Sequence, residues 1–421
     1  MASDPSPAAT AACAAPDAER LLFELMLDPL NDDPYVGYRT LRELAPALVT
    51  GDGTLVLTRF DDCDAALRHR AVGKSDQLFD FSPGDAPAEC SGSLIDLLRH
   101  SMLLANPPDH TRLRRLVSSA FTGRHVEALR DAVTIRTSAL LEALAAEPSG
   151  DFMAAVALPL PVNVISDLLG IPESDRLSFT PRVHALVAAL EPTAAPELRE
   201  QGATAGEELV EYFSVLLADK RARPAEDLLS RLVASHDADA LDEAEMISTA
   251  LLLFAAGFET TTNLLGNGLH ALLRHPGQLR KLREHPELVP AAVEELLRYD
   301  SPVQFGARIV LEPVTLAGVD LGPGRLVLTM LGAANHDPQR FGEADELDVG
   351  RLDGGHLAFA SGIHFCLGAH LTRLEGQVFL ELLTRHYDVA LAGEPTRRPG
   401  FSLRGLEHLP LTLSPRPAGG L

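Results

Sequence analysis

The feature that most constrains this chain is one long periodic segment, residues 242–275, closed by Pro276. As an α-helix at 1.5 Å per residue it spans about 50 Å, enough to cross a large domain. Its most apolar part, residues 246–258, is interrupted by Ser248 and Thr249. It is also shorter than the roughly 20 apolar residues a membrane span needs. The segment therefore reads as a buried central helix, and no membrane association is expected.

Helical spacing recurs over residues 38–44, 60–69, 110–121, 124–146, 161–169, 204–222, 227–235, 277–284 and 288–299, and again from Gly368 to about His386. Short apolar, β-branched runs at 55–58, 308–310, 314–316 and 326–330 predict small strands. Residues 71–108, rich in Gly, Ser, Pro and Asp, predict a long loop. No repeat or linker divides these elements. The expected fold class is mainly α with small β-sheets: a flexible tail over residues 1–20, then a single domain over 21–421.

The balance of charge narrows the partners. Lys and Arg number 36 against 59 Asp and Glu, a formal charge of −23 that repels nucleic-acid backbones and anionic lipid. The four cysteines, Cys13, Cys63, Cys90 and Cys366, are scattered and form no CxxC pair, which argues against a disulfide framework or a zinc site. The N-terminus lacks a basic stretch followed by an apolar core, so no signal peptide is read there. A monomer in the reducing cytoplasm is expected.

A lone cysteine is by default a buried structural residue, which suits Cys63 and Cys90. Cys366 is different, because it lies between Gly362 and Gly368 and directly precedes a predicted helix. Glycine lets backbone approach a flat ligand, and a helix N-terminus stabilises a thiolate through its free N–H groups. A thiolate on haem iron donates electron density that favours O–O cleavage. A cysteine-nucleophile hydrolase using His364 is disfavoured, since residues i and i+2 rarely orient as nucleophile and base. The long helix carries a matching oddity, Glu259-Thr260-Thr261-Thr262, four polar residues in a segment built for burial. Either the run faces solvent, or a threonine hydroxyl next to Gly257 loosens the helix ladder and opens a groove for dioxygen and water.

The segment FASGIHFCLGAHLTR resembles the haem-binding signature of cytochromes P450, FxxGxHxCxG, at every required position. Ala360 stands where Gly is usual, and Thr372 where Ala is usual. The resemblance implies the triangular-prism helical fold with a minor β-rich region. It also implies haem b (iron protoporphyrin IX) with Cys366 as axial iron ligand, Gly368 beside it, and monooxygenase activity. The run AGFETT is similar to the family motif AGxET, which implies that Thr260 hydrogen-bonds dioxygen and that Glu259 belongs to a proton relay. EELLR matches the family's ExxR, implying a buried structural pair of Glu295 and Arg298 that Arg351 can join. HxxxR at His110 and Arg114, which alone reads as a solvated basic face, implies propionate contacts, with Arg308 and His364 as two more. The stretch 336–351 departs from bacterial relatives at Gly342, Ala344 and Leu347, which puts loop rigidity in question.

The same resemblance implies a ferredoxin and an NAD(P)H-dependent ferredoxin reductase as partners, with Arg112, Arg115 and Arg373 forming a basic dock. The expected substrate wall comprises residues 95–104, Leu253 and Ala256, Val303 to Phe305, and Phe401 to Leu403. It suits an apolar organic substrate, free or carrier-protein-bound, of the polyketide, macrolide or peptide-derived kind. Two other readings stay open: a haem-thiolate enzyme that couples rings or uses peroxide, and a haem protein that binds a ligand without turnover.

Overall fold

The computed structural model describes residues 7–416 except residue 29, residues 80–97 and residue 239. The N-terminal part comprises α1 (Pro7–Leu27), α2 (Tyr35–Leu44), β1 (Ala47–Val49), β2 (Leu55–Leu57), α3 (Phe60–Arg68) and β3 (Val72–Gly73). The helical middle runs through α4 (Asp109–Ser118), α5 (Gly123–Glu127), α6 (Arg130–Ala145), β4 (Gly150–Asp151), α7 (Pro159–Leu169), α8 (Thr180–Ala189), α9 (Pro196–Ala222), α10 (Leu228–Asp237) and α11 (Glu243–Arg274). Next come α12 (Pro276–Glu284), α13 (Val289–Tyr299), β5 (Gly306–Val310), β6 (Val314–Leu316), β7 (Val319–Leu321), β8 (Leu326–Thr329) and α14 (Leu331–Ala334). The chain ends with α15 (Ala369–His386), β9 (Tyr387–Leu391), β10 (Thr396–Arg397), β11 (Leu406–His408) and β12 (Pro410–Pro415).

The central helix α11 starts where its chemistry says it should. Asp242 accepts a hydrogen bond from the Glu245 amide at 2.8 Å, and Glu245 accepts one from the Asp242 amide at 3.0 Å, a reciprocal capping box. Helices α7, α9, α10, α13 and α15 pack onto it, burying Phe254, Phe258, Leu265, Leu269 and Leu272 among others. At Gly257 a Cβ would stand 2.4 Å from Ile165 Cγ1, so α7 can cross at this point only because the side chain is absent. The glycine thus serves close helix packing. The loosened ladder expected beside it is not found, for α11 continues as α-helix through Arg274.

A five-stranded sheet, order β1-β2-β8-β5-β3, flanks the helices; β2 and β8 pair in parallel and the other neighbours antiparallel. Strands β4, β12 and β9 make a second sheet, and β6-β7 and β10-β11 form hairpins. No helix of the described residues is long and apolar enough to cross a membrane.

Three expectations need correction. The tail predicted over residues 1–20 is helical from Pro7, and Ala18, Leu22, Leu25 and Met26 are buried against α2 and the five-stranded sheet. An Ala-rich stretch of high helix propensity simply extends an apolar stripe at helical spacing. Helix α8 lies where no helix is expected, and α9 begins eight residues before the predicted start, with Pro196 in its first turn. The predicted loop 71–108 contains β3 and a short 3₁₀ turn, Asp76–Phe79; residues 80–97, including Cys90 and Ile95, lie outside the described residues.

Candidate haem-thiolate site

The cysteine loop is held from below by a buried ion cluster. Arg298 donates from Nε to Glu295 Oε2 at 2.7 Å and from Nη2 to Oε1 at 2.9 Å, with both side chains at most 2% exposed. Arg351 Nε adds a bond to Glu295 Oε2 at 3.1 Å, and the Asp348 amide one to Oε1 at 2.9 Å. Other protons of the two arginines reach main-chain carbonyls. Arg298 bonds Asn335, Ala344 and Glu346, and Arg351 bonds Gly342, Glu343 and Glu346. The loop that lacks prolines at 342 and 344 is therefore fixed through its carbonyls. Asn335 passes the constraint on, because its Oδ1 accepts from the Leu357 amide at 2.7 Å. Two residues later Phe359 O accepts from the Cys366 amide at 3.0 Å.

Two backbone positions shape the loop. Gly362 has φ +73°, and a Cβ there would meet Leu67 O at 2.4 Å, so only glycine fits. Ala360 also lies in the left-handed region, at φ +53°, where a Cβ is strained. The other departure, Thr372, has a partner: its hydroxyl lies 3.1 Å from that of Thr261, a buried link between α15 and α11.

Cys366 lies three residues before α15 and faces a cleft of about 220 Å³, whose walls include Leu252, Leu253, Ala256, Phe121, Ile165 and Leu371. Burial pushes its thiol up, while the Gly368 and Ala369 amides and the Arg114 and Arg373 charges draw it the other way. Cys63, in contrast, is fully buried and donates to Leu57 O, a packing role.

Arg114 and His364 line the cleft, and His110, Arg308 and Lys74 gather around His364. The His110 and His364 rings lie 4.4 Å apart, and each has a buried Nε2 without a partner. Among the described residues, Arg308 donates only to Ala307 O, Lys74 Nζ only to the same carbonyl, and the Arg114 side chain only to Phe365 O. Burial, then Lys74, Arg308, His110 and Arg114, push His364 down to about 2. Burial alone holds Arg308 at about 10, and burial with Arg308 keeps Lys74 well below its ordinary value. These donors, His110 and Arg308 buried and the other three half-buried, some orphaned and the charged ones without a carboxylate among the described residues, fit the dianionic edge of a porphyrin. The apolar walls fit its faces, and Sγ its metal. Lys74 stands alone at the end of a short strand, a pattern that offers no sequence signal.

On the opposite wall α11 presents its polar run. Glu259, Thr261 and Thr262 are at most 2% exposed, so the run does not face solvent. Glu259 Oε1 accepts from Arg398, beside β10, and its Oε2 lies 3.2 Å from His184 Nε2 on α8, at ion-pair distance without hydrogen-bond alignment. Burial works against the charge, yet His184 and Arg398 keep the carboxyl below its ordinary value. The Thr260 side chain makes no hydrogen bond with a described residue and lines the cleft.

Ala256, Thr260 and Leu103 also line a second, larger cavity of about 370 Å³. Its wall is apolar, with Leu98 and Leu104 from the expected loop, and with Phe305 and Leu403. Leu253 lies on the cleft side, and Leu252 and Ala255 take the cavity wall near it. Val303 and Phe401 are not on the wall. Val303 bridges to Leu403, and Phe401 packs on Phe305, with ring centres 5.3 Å apart. Leu186, Val187 and Leu190 from the end of α8, and Met26 from α1, complete it unforeseen. Two arginines of the expected basic dock are already paired: Arg112 with Glu245 and Asp109, Arg373 with Glu294 at 2.7 and 2.8 Å.

A half-buried cysteine just ahead of a helix, facing an apolar cleft with cations at its edge, defines a haem-thiolate protein. The cytochrome P450 family model matches residues 197–406. Cytochrome P450 107B1 of Saccharopolyspora erythraea is 42% identical over 86% of this chain and 90% of its own length. The cytochrome P450 monooxygenase PikC of Streptomyces venezuelae is 40% identical over 90% and 91%. Among solved structures, P450BioI in complex with an acyl carrier protein ligated with hexadec-9Z-enoic acid superposes with a TM-score of 0.84 at 35% identity, covering 90% of this chain and 98% of that one. The tirandamycin C-bound monooxygenase TamI gives 0.80 at 36%, covering 91% and 98%. The chain belongs to the cytochrome P450 family, and is a haem-dependent monooxygenase.

Proposed function

We propose that the chain inserts one atom of dioxygen into a largely apolar organic substrate, by hydroxylation or epoxidation, as a tailoring step on a polyketide, macrolide or peptide-derived scaffold. The observation that carries this reading is that Thr260 and Ala256 line both the cleft holding Cys366 and the large apolar cavity. A substrate in that cavity lies against the dioxygen site, and water is excluded by the same apolar wall. The named functions of PikC, of the polyketide biosynthesis cytochrome P450 PksS of Bacillus subtilis and of TamI support the substrate class.

Cys366 would hold haem b through Sγ, with His110, Arg114, Arg308 and His364 toward the propionates. When bound, the haem supplies the iron at which dioxygen is reduced and split. For hydroxylation the balance is R–H + O₂ + 2 e⁻ + 2 H⁺ → R–OH + H₂O, with electrons from NAD(P)H by way of a reductase and a ferredoxin in the cytoplasm. The free Thr260 hydroxyl donates a hydrogen bond toward dioxygen. The buried Glu259 carboxyl, held in place by Arg398 and His184, hands on the protons.

The test is reconstitution of the purified chain with a surrogate ferredoxin, its reductase and labelled dioxygen. One labelled atom should appear in the product, with a thiolate-type Soret band for the reduced carbon monoxide complex that Cys366→Ala abolishes. Product oxygen drawn from water, turnover with peroxide but not with the reductase, or an unchanged band in the variant refutes the reading.

A further inference from the structure

Three cationic side chains meet beside the cleft. Lys74, Arg114 and Arg308 converge there, and none has a carboxylate partner among the described residues. Lys74 is the member of this trio that also lines the large apolar cavity. It is presented rigidly, because Asn106 accepts from its amide at 2.9 Å and donates to its carbonyl at 2.7 Å. One of its three ammonium protons is used, on Ala307 O at 3.0 Å, leaving two to face the site. The other charged groups on the cavity wall are engaged. Arg199 donates to the carbonyls of Ala194 and Pro192, Glu191 accepts from the amides of Phe401, Ser402 and Leu403, and Glu259 is held by Arg398 and His184.

We propose that Lys74 is a carboxylate-binding residue at the boundary between haem edge and substrate cavity, so that an otherwise apolar substrate with an acidic end would be held there. The inference rests on the haem reading of the cleft. The carboxylate can come from the substrate or from a propionate, and both sources predict an effect of removing the ammonium group. A charge-assisted hydrogen bond of this kind corresponds to about tenfold or more in a dissociation constant.

The experiment uses the full, haem-loaded chain and its Lys74→Gln and Lys74→Arg variants, each first shown to give the thiolate-type band with carbon monoxide. Absence of that band in the wild type would defeat the haem reading itself, an outcome distinct from any change confined to the variants. Dodecanoic acid and dodecanol are titrated as probes while the spin-state shift of the Soret band is read. Haem transfer to apomyoglobin is timed in parallel. If the substrate supplies the carboxylate, the wild type prefers the acid over the alcohol by about tenfold, Lys74→Gln erases the preference without moving the alcohol's constant, and Lys74→Arg retains it. If a propionate supplies it, Lys74→Gln leaves the preference as it was and releases haem about tenfold faster. A glutamine variant with neither change overturns the proposal.

Discussion

Replacing Glu295 by glutamine keeps the shape of the side chain and removes the one negative charge between two buried arginines. The carboxylate accepts four hydrogen bonds, two from Arg298, one from Arg351 and one from the Asp348 amide. An amide can accept on its oxygen alone, so the guanidinium groups face an NH₂ and carry uncompensated charge in a place that is 1% exposed at Glu295. Breaking a buried pair from one side costs about 3–5 kcal/mol. A folded domain has in total only about 5–15 kcal/mol of stability. The variant should therefore unfold at clearly lower urea concentration, with an unchanged slope if the denatured state is unaffected. Haem should be released in the same transition, because Asn335, gripped by Arg298, carries the constraint to the cysteine loop. Far-UV circular dichroism and Soret absorbance followed together measure both. A loss below about 1 kcal/mol, the worth of an exposed pair, would refute the role of this cluster as the support of the loop.

Other outcomes rest on single features. Ala360→Gly should raise stability by about 1 kcal/mol by removing left-handed strain at φ +53°, and a lower urea midpoint would contradict this. Burial opposes the Glu294 charge, but Arg373 and His356 hold its carboxyl at about 2. A depressed carboxyl stabilises the fold above its ordinary value and loses that contribution as pH falls toward about 2. Arg373→Gln should therefore shift acid unfolding to higher pH, read by circular dichroism across the acid limb, and superimposed limbs would show that the arginine does not set this titration.

What the sequence reveals and what it hides divide along physical lines. The helix α11 is legible because its apolar period, its Asp242–Glu245 cap and its closing Pro276 all agree. Glu295, Arg298 and Arg351 meet as the ExxR spacing and the later arginine suggest, since a three-residue step on a helix fixes one face. Lys74, His184 and Arg398 escape notice because their meaning comes from long-range contact: each belongs to a different element, and none has a motif around it. Val303 and Phe401 are misjudged for a related reason. Their apolar character predicts packing correctly, but only the local course of the backbone decides whether such a side chain faces a cavity or a neighbour. Ala18 is lost to a boundary drawn where small residues give way to leucines.

The crowding of like charges along the cleft has a consequence for how the chain matures. Before a dianion arrives, Lys74, Arg114 and Arg308 repel one another in a setting that offers them little water, so that flank of the newly made polypeptide resists closure. A ligand that binds only the folded form then contributes its binding energy directly to folding. Haem is in this sense a folding ligand, and cells starved of its precursors should accumulate a looser, protease-sensitive chain rather than an empty copy of the finished enzyme.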